Sequence, residues 1–126
     1  RDSVKAYCCI ASNAKDFARL GKLYKDFGRW KGVQILDSAF VAKSIKPRFK
    51  DSPQYGYGFW LKAQNGKSFF MMEGHLGQCV IVCPSDNLIV VRLGHGKESF
   101  GHNPYNGDIS VYIEEAYKML NHAEQN

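Results

Sequence analysis

Hydrophobic positions change their period along the chain, and the changes divide it into elements. A short apolar run, Val4 to Ile10, comes first and reads as a strand or buried extended segment. Phe17, Leu20, Leu23, Tyr24 and Phe27 then recur at helical spacing, which predicts an amphipathic helix over residues 14–27. Ser12-Asn13 offers its N-cap, Asp16 adds favourable charge to its first turn, and Gly28 stands where a left-handed stop is expected. Residues 29–32 read as a turn and residues 33–36 as an apolar link. Asp37-Ser38 caps a second helix bearing Phe40, Val41 and Ile45, which Pro47 stops. Residues 48–54 are polar and hold Pro53, and they read as a loop.

From Tyr55 the period becomes two. Tyr55, Tyr57, Phe59 and Leu61 fall on one side of a predicted strand, and Gly56, Gly58 and Trp60 on the other. The glycines leave that side bare, so another element can approach closely. Asn65-Gly66 is a hairpin signal, and residues 68–73 are the returning strand. Gly74-His75-Leu76-Gly77 is a turn, followed by strands at 78–83 and 88–93. A polar, glycine-rich loop leads to a last helix, capped by Asp108 or Ser110. Its apolar stripe is Ile113, Ala116, Tyr117 and Leu120, suited to lie across one face of the sheet. The order is two helices, about four antiparallel strands and a terminal helix, an α+β domain.

Composition adds little to this picture but excludes several classes. With 126 residues and 44% hydrophobic content, one domain with a sizeable core is expected. The net charge of +5 comes from scattered basic residues, which reads as solvated surface and not as a nucleic-acid interface. No apolar run reaches membrane-spanning length. Among the four cysteines, vicinal Cys8-Cys9 are poorly placed to bridge each other. Cys79 and Cys83 share a strand face too far apart to bond. None has zinc-site spacing, so the expectation is buried free thiols, with no metal and no cofactor.

Several chemical motifs dissolve on inspection. Ser12-x-x-Lys15 has the spacing of a serine acylase, but Ser12 opens a helix that needs a cap. Gly94-His95-Gly96-Lys97 lacks the spacing of a phosphate loop. Glu114-Glu115 falls on the polar side of the last helix, and His102 and His122 have no partner at ligand spacing. The stretch Gly74-His75-Leu76-Gly77-Gln78 differs. Its glycines admit a substrate or another backbone, the histidine can donate or take a proton near neutral pH, and the following strand can present the Gln78 N–H to an acyl oxygen.

These residues carry a family resemblance that runs over nearly the whole chain. Residues 12–24 resemble the helix "S-x-A-x-D-x-A-R-x-G-x-L" of the serine beta-lactamase-like hydrolases. Residues 30–36 resemble the link "W-x-G-x-Q-I-L", residues 55–60 the strand "Y-G-Y-G-W-W", and residues 74–78 the motif "G-H-x-G-Q"; residues 84–93 are similar to the final hairpin. The family includes class C beta-lactamases, penicillin-binding proteins, related esterases and 6-aminohexanoate-dimer hydrolases. The resemblance implies a partial beta-lactamase/transpeptidase-like fold and a bacterial setting, favouring an exported or periplasmic location and leaving a cytoplasmic one open.

It also implies roles. His75 takes the place of the lysine in "K-T-G", Leu76 that of the hydroxyl residue, and Gly77 that of the glycine; the Gln78 N–H becomes an oxyanion donor. His75 and Gln78 are therefore the catalytic candidates. Leu76, Gly77 and His95 are the substrate-binding ones, His95 bordering the same cleft. Leu76 departs from the Thr or Ser that grips a beta-lactam carboxylate, which favours another ester or amide as substrate. The family's Ser-x-x-Lys and Tyr-x-Asn motifs are absent from their proper places. The expectation is a C-terminal portion whose nucleophile lies in a preceding segment, inactive alone, with an uncovered sheet edge that invites pairing as a homodimer. The competing expectation is a binding or interaction module derived from the same fold.

Overall fold

The structure is a computed structural model and describes residues 9–74, 77–94 and 107–125. Helix α1 spans Ala14–Lys25 and α2 Ser38–Ser44, with a two-stranded hairpin between them, β1 (Arg29–Trp30) and β2 (Val33–Gln34). Four strands follow: β3 (Trp60–Gln64), β4 (Lys67–Glu73), β5 (Cys79–Cys83) and β6 (Leu88–Arg92). They form one antiparallel sheet in the order β3-β4-β5-β6, and helix α3 (Gly107–Glu124) closes the chain. The architecture is α+β, as the hydrophobic pattern implies.

Side-chain alternation explains why the sheet needs a helix on each face. Phe69, Met71, Cys79, Ile81 and Cys83 point one way and pack with Ile109 and Ile113 of α3. Leu61, Phe70, Val80 and Val82 point the other way, with Phe59 beside them, and pack with Phe17 and Tyr24 of α1. Every residue of β5 is buried, because both its faces are covered. Gly21 lets α1 settle onto this strand: a Cβ there would lie 3.1 Å from methyl groups of both Val80 and Val82. The last helix therefore packs on one face, as expected, while α1 covers the other.

Local chemistry shifts several boundaries. The α1 cap is Asn13, whose side chain accepts from the Asp16 N–H at 3.0 Å. Ser12 instead donates its hydroxyl to the Asp16 carboxylate at 2.8 Å, so its proton is directed away from Lys15. The helix ends two residues earlier than its apolar period. Gly28 N–H reaches Leu23 O at 2.8 Å and Phe27 N–H reaches Tyr24 O at 3.1 Å, a Schellman closure with Phe27 in the left-handed position at φ 53°. The apolar link at 33–36 supplies β2. On α3, Leu120 is exposed and Tyr112 joins the packed face in its place.

The larger correction concerns residues 55–59, which do not form a strand. Gly56 N–H donates to Phe59 O at 2.9 Å, and Gly58 takes φ +82°, so the chain turns here and β3 begins at Trp60. The close approach that the glycines permit occurs at Gly56 alone. Its backbone lies against the end of α2, where the Ser44 carbonyl accepts from Tyr57 N–H at 3.0 Å.

The cysteines divide. Cys79 and Cys83 are free and buried, as expected, whereas Cys9 is disulfide-bonded, which corrects the free-thiol expectation there.

A polar tie fixes α3 to the sheet. Tyr117 donates to Asp86 Oδ2 at 2.6 Å, and Lys67 Nζ to Asp86 Oδ1 at 2.9 Å. The Tyr117 hydroxyl, then Lys67, hold the Asp86 carboxyl below its ordinary 3.8. Burial, then the Asp86 hydrogen bond, push the Tyr117 hydroxyl up. A depressed carboxylate contributes stability above its unfolded pKa and loses it as pH falls through the lower folded value. Stability is thus expected to drop below about pH 4. In Asp86→Asn the melting temperature should vary less between neutral and acidic pH, as followed by circular dichroism. An unchanged pH profile in the variant would rule the tie out as the cause.

Candidate functional site

The candidate site is built at the end of the sheet where β4 passes into β5 and β6 leaves. Gly74 N–H donates to Gln78 O at 2.7 Å, and Gly77 N–H donates to Gly74 O at 3.1 Å. Gly77 has φ +86°, a conformation that glycine adopts without strain. The connection is therefore a tight hairpin end with a left-handed residue just before β5. Gly74 serves it differently: a Cβ there would meet Gln78 Oε1 at 2.8 Å, so the Gln78 side chain lies across the bare backbone.

Arg92 joins this turn to the exit of β6. Its Nη1 donates to Gly77 O at 2.9 Å and to Gly94 O at 2.9 Å. Gly77 and Gly94 are thus anchored together at one end of the sheet. Arg92 is the residue that reading the sequence overlooked. Its signal was a cation closing an apolar strand, and its importance comes from a register that the sequence does not display. Glu73, Cys79 and Arg92 stand opposite one another on β4, β5 and β6.

This row bears on nucleophilic chemistry. Burial, then Glu73, push the Cys79 thiol up to about 11, with Arg92 opposing. At neutral pH Cys79 is a protonated, buried thiol, and a cysteine nucleophile at this sheet end is disfavoured. Among the described residues no group of three or more His, Cys, Asp or Glu side chains could hold a metal ion.

Of the sequence-predicted site residues, the structure places Gly77 and Gln78 together at the start of β5. His75, Leu76 and His95 lie outside the described residues. The described neighbours that bracket them, Gly74, Gly77 and Gly94, are the ones Arg92 and the hairpin hydrogen bonds draw together. His122 stands in the last turn of α3, away from these segments in the chain.

No protein-family model and no curated protein matches the chain.

Proposed function

We propose that the chain is the C-terminal portion of a serine hydrolase of the beta-lactamase-like class, acting on a small ester or amide by acyl transfer. The observation that carries this reading is the tight Gly74–Gln78 hairpin end, tied by Arg92 to the exit of β6. It supports a wall at this sheet end, where Gly77, Gln78 and Gly94 are held close to one another. The order of the motifs along the chain supports it independently.

The chemistry assigned to the wall is electrostatic. A serine from the segment preceding residue 1 attacks the substrate carbonyl carbon and gives its proton to a Lys/Tyr pair in that segment. The carbonyl oxygen becomes an oxyanion, which the Gln78 N–H stabilises. Collapse breaks the bond to the leaving alcohol or amine, which takes up the proton, and leaves an acyl-serine ester. Water then attacks that ester, releasing the acid and restoring the serine hydroxyl. His75 donates a hydrogen bond or proton at the wall. Leu76, Gly77 and His95 contact the substrate. The preceding segment is assigned to the outer edge of β6, which is an edge strand of the described sheet. The other occupant of that edge is a second copy of the chain. Among the described residues no helix is long and apolar enough to cross a membrane, and the reading needs no nucleic acid.

The 126-residue chain is expected to resist covalent labelling by fluorophosphonate or penicillin probes, since Ser12 is committed to Asp16. The natural-length protein should be labelled by a fluorophosphonate. Stoichiometric labelling of Ser12 would overturn this assignment. If folded natural-length protein stays unlabelled, the alternative of a non-catalytic binding module on the same fold takes its place.

A further inference from the structure

The segment between α2 and β3 encloses a second feature, independent of the acyl-transfer reading. Arg48, Lys50, Asp51, Ser52, Tyr55 and Trp60, with Phe49 and Gln54, line an open cleft of about 660 Å³. Two of its lining rings, Tyr55 and Trp60, meet edge-to-face at 4.9 Å and 74°. Both residues are half-buried, so each also offers ring surface outward.

The frame of the cleft is fixed while its polar side chains are left available. Ser52 N–H donates to Phe49 O at 3.2 Å, Tyr55 N–H to Ser52 O at 3.1 Å, and Leu61 N–H to Gln54 O at 2.8 Å. Arg48 is oriented by Tyr57, its guanidinium carbon 5.1 Å from the ring centroid and Nη2 donating to the hydroxyl at 3.3 Å. The side chains of Lys50, Asp51, Ser52 and Gln54, by contrast, make no hydrogen bond or ion pair among the described residues. The lining carries two cations and one carboxylate, so its net charge favours an anion. A cleft of this size, lined by two aromatic rings and several polar side chains, has the make-up of a small-molecule site.

We infer that this cleft binds a small planar aromatic anion. The ring lies against Tyr55 and Trp60, the anionic group reaches Arg48 and Lys50, and Ser52 and Gln54 supply orienting hydrogen bonds. An aromatic carboxylate fits this description; a neutral ring of equal size satisfies only half of it.

Tryptophan fluorescence tests the assignment, because the chain holds two tryptophans and Trp30→Phe leaves Trp60 as the sole reporter. Titration with 2-naphthoate should give a saturable change with a Kd below about 1 mM, and 2-naphthalenemethanol should bind at least about tenfold more weakly. Lys50→Ala should weaken naphthoate binding several-fold, and Asp51→Asn should tighten it. Both substitutions are at exposed positions, so the fold is retained, which circular dichroism checks. The absence of a saturable change would overturn the site. Equal affinity for the neutral probe, or indifference to both substitutions, would reduce it to an apolar surface without the anion-binding role.

Discussion

Gly56→Ala is expected to abolish cooperative folding, or to destabilise the chain by about 4 kcal/mol or more. A Cβ at Gly56 would overlap the Ser44 carbonyl oxygen and sit 3.1 Å from the carbonyl carbon and 3.2 Å from Lys46 O. All three are backbone atoms, so no side-chain rotation relieves the clash. Ser44 is fully buried and cannot retreat into solvent. Displacing it would also break the hydrogen bond from Tyr57 N–H. A loss of this size consumes much of the ~5–15 kcal/mol by which such domains are stable. Gly58→Ala is the control. No atom lies within 4 Å of its Cβ, and the cost arises from φ +82° alone. That should be about 1–2 kcal/mol. Urea denaturation of the two variants separates the mechanisms, and equal losses would show that packing against α2 is not the cause.

The second large effect follows from the proposed function. In the natural-length protein, His75→Ala should lower the acylation rate by about 10²–10⁴-fold, the range for loss of a positioned acid or base. Circular dichroism should show the variant folded, since among the described residues Gly74, Gly77, Gln78 and Arg92 make hydrogen bonds that hold the turn. Burst-phase kinetics with an activated ester measures that rate. A variant that acylates at the wild-type rate would remove His75 from the site and leave the wall to Gln78 alone.

The sheet was legible because its signals are local. The apolar runs in residues 68–73, 78–83 and 88–93, the Asn65-Gly66 turn and the stripe on α3 are each set by residues close together in the chain. The strand proposed from Tyr55 failed for the opposite reason. Its period-two pattern is real, but Gly58 at φ +82° and the docking of Gly56 on Ser44 override it, and both depend on where α2 ends. Likewise the residue that caps α1 is decided by geometry between neighbours: Asn13 reaches the Asp16 N–H, and Ser12 reaches the Asp16 side chain. At the candidate site, the glycine frame was readable and Gly77 takes the left-handed turn it needs. Arg92 was not readable, because its partnership with Gly77 and Gly94 exists only once β5 and β6 are in register.

The proposed acyl-transfer site takes its nucleophile from a segment before this chain and its wall from the Gly74–Gln78 turn. Mass-spectrometric mapping of the natural-length protein after fluorophosphonate treatment tests it most directly. The expected result is one probe per molecule, on a serine that precedes residue 1 and has a lysine three positions after it. Folded protein that takes up no probe, or takes it up on Ser12, would contradict the claim.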